Sequence, residues 1–159
     1  MLGAASCATR SVPPPAPAPA PAPPPVRPAP PPPPPPLAWQ DAPLSPGDWS
    51  FRDGGAQSAA TYGAQAPALI VSCGADRRIS LVRPGASGAA LTLRTTNGER
   101  ALAASMTADG LAATLVASDP LLDALAFSRG RIAIEAAGTP LLIVPSWPEP
   151  ARVIEDCRE

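Results

Sequence analysis

Seventeen of the chain's 26 prolines lie between residues 12 and 36, and the run closes with seven in succession, Pro30 to Pro36. Proline fixes φ and has no N–H to donate, so this stretch can enter neither a helix nor a sheet and reads as polyproline II. At ~3.1 Å per residue it would span about 75–80 Å as a semi-rigid spacer. What is left for a packed core is Trp39 to Glu159, 121 of the 159 residues. That is enough for one ordinary domain. The domain plan is therefore 1–11, 12–38 and 39–159: an N-terminal processing remnant, a Pro/Ala-rich linker and a β-rich body.

The chain opens Met1-Leu-Gly-Ala-Ala-Ser-Cys7. Small residues directly before a cysteine resemble the bacterial lipobox, with Ala4, Ala5 and Ser6 in the three positions before Cys7. Leucine is the usual residue three places before the cysteine, and no charged or apolar signal region precedes this one. The expectation is that Met1 lies inside a longer signal peptide and that Cys7 is the lipidation site. A lipidated cysteine, a proline spacer and a folded domain resemble envelope lipoproteins, which implies a periplasmic-side, membrane-anchored address. The competing readings are a stray cysteine in an unstructured terminus, and a PxxP ligand flanked only by Arg10 and Arg27.

Two residue types are missing, and they exclude much chemistry. There is no histidine, and all 12 basic residues are arginine. The commonest general base, the Ser-His and Cys-His pairs and the commonest metal ligand are all absent. So are the phosphate-loop lysine and Schiff-base catalysis. Carboxylate-pair glycoside hydrolysis is the most plausible enzymology left. No cofactor is implied. Twelve arginines against 13 acids leave a net charge of −1, so no basic field for nucleic acid exists. No apolar run approaches the ~18 residues of a membrane helix.

From residue 48 onward the text alternates in short runs. Strands are expected at 48–51, 57–62, 68–73, 79–82, 90–94, 100–106, 111–116, 131–135 and 141–144. Leu69, Val71 and Cys73 share one face by the period of two, and Ile132 and Ile134 oppose Arg131, Ala133 and Glu135. Asn97-Gly98, Asp109-Gly110 and Ala137-Gly138-Thr139 read as hairpin turns. Sequential hairpins give antiparallel neighbours, so about nine strands imply a mainly β sandwich or small barrel. Its many alanines imply a thin core.

Two helices interrupt. Asp119-Pro120 reads as a cap followed by a first-turn proline, with Leu121, Leu122, Leu125 and Ala126 inward and Gly130 as a left-handed end. Ser146-Trp-Pro-Glu149 spells a capping box, but Pro150 favours Glu149 as the cap of a C-terminal helix. That helix places Val153, Ile154 and Cys157 on one side. With Cys7 acylated, Cys73 and Cys157 remain, both on core faces, and a disulfide between them is expected in an oxidising compartment.

The candidate sites have structural competitors. Asp119 and Asp123, one turn apart, suit a hard cation or an acid pair, but also capping. Arg129 and Arg131 flank a glycine turn and could grip an anion, or could complement the helix end. Arg152, Glu155, Asp156 and Arg158 read as a surface ion-pair set. Trp39, Trp49, Trp147, Phe51, Tyr62 and Phe127 could line a carbohydrate or peptide groove, but core packing is favoured for so few aromatics. No metal site is expected.

The segments Asp119-Pro-Leu-Leu-Asp-Ala-Leu-Ala-Phe-Ser-Arg-Gly-Arg131, Pro145-Ser-Trp-Pro-Glu149 and Arg152-Val-Ile-Glu-Asp-Cys-Arg158 resemble the ending of a group of bacterial envelope proteins. That resemblance spans roughly residues 48–158 and implies no activity or active-site residues. A fainter likeness, to small secreted β proteins of the invasion-associated locus B type, rests on an early Trp, cysteines and a β-rich body, and implies architecture alone. The combined expectation is a non-enzymatic envelope lipoprotein, an interaction or assembly module whose partner is an envelope protein or the cell wall. The alternatives are a carboxylate-dependent glycan enzyme and a small anionic-ligand binder.

Overall fold

Period-two alternation of buried and exposed side chains builds ten strands in the computed structural model, which describes residues 38–54 and 57–159. Cys7 and all of the proline spacer but its last residue, Ala38, lie outside those residues. In chain order the strands are β1 (Asp48–Arg52), β2 (Ala59–Gly63), β3 (Pro67–Cys73), β4 (Arg78–Arg83), β5 (Ser87–Thr95), β6 (Gly98–Ala103), β7 (Ser105–Thr107), β8 (Gly110–Val116), β9 (Arg131–Ala137) and β10 (Leu142–Pro145). They form a six-stranded sheet, β1-β2-β3-β4-β8-β7, and a four-stranded sheet, β10-β9-β5-β6. All pairings are antiparallel. The arrangement is sandwich-like, with no closed barrel.

The single strand expected over 100–106 is two strands in different sheets. Ala103 pairs with Ala90 of β5, Ala104 N–H still donates to Ala89 C=O at 2.9 Å, and Ser105 then pairs with Ala112 of β8. The chain changes sheet at a run of small side chains, Ala103-Ala104-Ser105, where no bulky residue commits it to either core.

Between the sheets lie Leu69, Val71, Ile79, Leu81, Leu91, Leu93, Ile132, Ile134 and Val144, each almost wholly buried. Helix α1 (Pro120–Ala126) adds Leu121, Leu122 and Leu125. Helix α2 (Pro148–Arg158) packs on β1 to β4 through Val153, Ile154 and Cys157. Cys73 and Cys157 are joined by a disulfide, with Cα atoms 5.5 Å apart. It ties the last helix to β3, as their facing positions implied.

Both helix boundaries differ from expectation. α1 ends at Ala126, where Phe127 N–H closes on Asp123 C=O at 2.9 Å. Gly130, at φ 76°, shapes the loop beyond instead of capping the helix. α2 starts at Pro148 with Trp147 as its cap and no side-chain cap bond, so neither the box nor a Glu149 cap forms. Pro148 and Pro150 both fall among the first four helical positions, whose N–H groups have no intrahelical acceptor, so neither proline removes a bond.

Residues 38–47 form a strap with no regular secondary structure of its own. Arg131 Nη1 donates to the carbonyls of Gln40 (2.7 Å) and Ala42. Tyr62 Oη donates to Ser45 C=O at 2.6 Å. The strap thereby ties β9 and β2 together from outside the core.

Candidate functional site

A sandwich of two open sheets has four edges, and each exposes backbone donors and acceptors unless something covers it. The β10 edge is covered. Ser45 N–H donates to Ile143 C=O (2.8 Å), and Ile143 N–H donates to Ser45 Oγ (3.0 Å). Trp49 Nε1 reaches across from β1 to Pro145 C=O at 2.9 Å. Trp49 also meets Tyr62 edge-on at 5.3 Å, which fixes the indole at the seam. The β1 edge carries a charge at each end, Asp48 and Arg52. The β7 edge is three residues long.

The β6 edge is different. The turn Thr96-Asn97 makes Thr95–Gly98 the closing pair, so Leu93–Arg100 and Leu91–Leu102 follow as hydrogen-bonded pairs. The Ala104-to-Ala89 bond continues that phase. The N–H and C=O groups of Glu99, Ala101 and Ala103 therefore point away from β5. All three residues are exposed, and among the described residues no strand pairs with them. β6 holds no proline and no bulge, and neither of its charges is free. Glu99 binds Arg94 at 3.0 Å, and Arg100 binds Asp119 at 2.6 Å. Beyond Arg100 the run Ala101-Leu-Ala-Ala-Ser-Met-Thr107 is uncharged, with Met106 60% exposed.

The residues singled out from sequence are dispersed. Arg131 is occupied by the strap carbonyls. Arg129 is exposed, and its N–H donates to Thr96 Oγ1 at 3.0 Å, so the two arginines do not converge on one anion position. Asp119 caps α1, accepting from Leu121 N–H at 2.8 Å. Burial pulls its carboxyl up, but the Leu121 N–H and Arg100 outweigh that and hold it below the usual carboxylate range. Asp123 pairs with Arg158 at 2.8 Å, so the two acids answer to different arginines. Among the described residues no group of three His, Cys, Asp or Glu gathers to hold a metal. The Arg152 guanidinium lies 4.1 Å above the Phe51 ring. Trp49 and Tyr62 are core residues, whereas Phe127 and Trp147 are exposed, at 73% and 45%.

One buried charge was not anticipated. Arg83, 6% exposed, donates to Ala68 C=O (2.7 Å) and Pro140 C=O (3.3 Å), and its Nε finds no acceptor. Burial lowers its pKa. It brackets β3 to the β9–β10 turn. No local signal marks it, since it reads simply as the polar end of a strand.

Three open clefts, of about 400, 580 and 670 Å³, lie at the β2–β3 turn, at the β9–β10 turn and beside Cys157. Each is lined by one carboxylate: Asp48, Glu135 and Asp123 respectively. No helix of the described residues is long and apolar enough to cross a membrane. The geometry defines a disulfide-bridged, sandwich-like β module whose β6 edge is unpaired among the described residues. No known protein family, no curated protein and no solved structure matches the chain.

Proposed function

We propose that this chain is a non-enzymatic interaction or assembly module of a bacterial cell envelope, held on a proline spacer behind a lipidated Cys7, and that β6 is its binding edge. The observation that carries the reading is the row of outward N–H and C=O groups at Glu99, Ala101 and Ala103. Such a row accepts an extended segment as an added strand, with main-chain hydrogen bonds supplying the affinity. The Cys73–Cys157 bridge supports an oxidising, extracytoplasmic address. A stiff tether suits reaching a fixed partner better than turning over a diffusible substrate. The glycan-enzyme alternative needs two carboxylates about 5–10 Å apart across one cleft, and the single acid in each cleft lends it no support. The anion-binder alternative loses Arg131 to the strap.

A photo-crosslinking residue at Ala103, compared with one at exposed Glu155, tests the reading in the intact envelope. Adducts are expected from position 103 and not from 155. No adduct at either position, or equal labelling at both, refutes it. Mass measurement of the native N-terminal peptide checks the anchor, with a diacylated Cys7 expected.

A further inference from the structure

The interaction-edge reading leaves the occupant open. Resting on that reading, we propose that the occupant is a second copy of this chain. β6 pairs antiparallel with β6 of the second copy about a two-fold axis through Ala101, giving one continuous eight-stranded sheet, β10-β9-β5-β6 followed by β6-β5-β9-β10 of the other copy.

The outward groups fix this register. They belong to Glu99, Ala101 and Ala103, spaced by two residues and centred on Ala101. A two-fold there sets Ala101 opposite its own counterpart and Glu99 opposite Ala103, so every outward donor meets an acceptor and none is left over. Side chains agree with that placement. The residue at the axis is alanine, and Glu99 faces a methyl group instead of a second carboxylate. Gly98 and Ala104, at the ends of the overlap, are small. Charge does not oppose the approach. Glu99 and Arg100 are the only charged residues of the overlap, and each is ion-paired within its own chain, Glu99 to an Arg94 that it shares with Glu135. Arg100 lies opposite Leu102, so no like charges are directly opposed.

The area sets the strength. A single seven-residue strand pairing falls short of the ~1,200 Å² that a standard stable interface buries. Pairing is therefore concentration-dependent in dilute solution. Tethering two copies to one surface raises their effective concentration toward ~1 mM, where a weak edge contact fills.

Sedimentation and amide exchange of the full chain, from micromolar to about 1 mM, provide the test. The wild type is expected to shift toward dimer, with the Ala101 and Ala103 amides gaining protection in parallel. Ala101→Pro deletes an N–H that has no acceptor among the described residues, and Ala101→Lys sets two ammonium groups directly opposite each other at the two-fold axis. Both are expected to remain monomeric at the highest concentration, with an unchanged unfolding midpoint. Should the proline variant unfold, the lysine variant still decides the matter. A wild type that stays monomeric to about 1 mM, or a dimer that persists in Ala101→Lys, overturns the proposal. If position 103 then crosslinks a different protein in the envelope, the interaction edge survives and only self-pairing falls.

Discussion

The two outer edges of the four-stranded sheet belong to the same sheet and are treated in opposite ways. At β10 the strap lays down Ser45, Tyr62 anchors that strap, and Trp49 bridges from the other sheet. Ile143 and its opposite number Ala133 point outward and are nonetheless 3% and 0% exposed. At β6 nothing comparable is invested, and Ala101 and Ala103 stand in solvent. The fold spends side chains on one edge and leaves the other free. A chain under general pressure against aggregation would blunt both edges.

The largest expected effect is on the closed half, where α2 covers β1 to β4. The bridge closes a loop of 84 residues, for which the chain-entropy argument gives about 4–5 kcal/mol as an upper figure. Cys157→Ala should lower unfolding stability by up to that amount in denaturant titrations. β6 amide exchange should stay that of an open edge at low protein concentration. Loss of exchange protection confined to α2 and β3 would fit local release, whereas loss spread evenly over both sheets would show that the two edges are not independent.

Next comes a charge placed on the covered edge. Ile143→Lys buries an ammonium and disrupts the Ser45 contacts, so a loss above about 3 kcal/mol is expected. A variant that melts like wild type would mean that the strap lifts off easily and that the contrast between the edges is shallow.

Asp119 stands where the open strand meets α1, holding Leu121 N–H and Arg100 together. Asp119→Ala should cost about 1–2 kcal/mol at neutral pH, the usual range for a cap. The folded carboxyl titrates below its unfolded value of about 3.9. Its contribution is thus fully present above that pH and is lost as pH falls through the lower, folded value. Wild type and variant should therefore converge in acid, and a gap that stays constant from neutral pH into acid would argue that packing, not the charge, is what the variant loses.

Much of this contrast was hidden from the sequence for physical reasons. Strands such as Ala68 to Cys73 were legible because burial alternates with a period of two, and the Cys73–Cys157 bridge followed from two core-facing positions. Two of the three expected hairpin turns, those at Asn97-Gly98 and Asp109-Gly110, fall one residue earlier in the structure. In Thr95-Thr-Asn-Gly98 and again in Thr107-Ala-Asp-Gly110, the threonine hydroxyl donates to the glycine carbonyl and accepts the N–H two residues on. The glycines, at φ 140° and 136°, therefore open the next strand instead of sitting in the turn. A Thr two residues before Asn/Asp-Gly was the available signal. The strap left no trace because its contacts are carbonyls taken by Arg131 and Tyr62 from distant strands. The open edge was equally illegible. Residues 100–106 read as one strand, but only the non-local order β10-β9-β5-β6 makes its first part the outermost strand of a sheet. Arg83 was lost for the same reason, since its partners lie 15 and 57 positions away.

The smallest expected effect is the sharpest test of the comparison. Ala103→Lys places the same ammonium used at Ile143 on the opposite edge of the same sheet. At position 103 the side chain is exposed, and the residue's outward N–H and C=O have no partner among the described residues to lose. Lysine also snorkels readily and is the side chain by which natural edges are blunted. Thermal and denaturant unfolding should therefore move by no more than about 0.5 kcal/mol. The pair Ile143→Lys and Ala103→Lys then measures the difference between the edges directly, with chemistry held constant. A large loss at 103 would mean that this edge is covered in the folded chain after all, and the reason for calling it a binding edge would disappear with it.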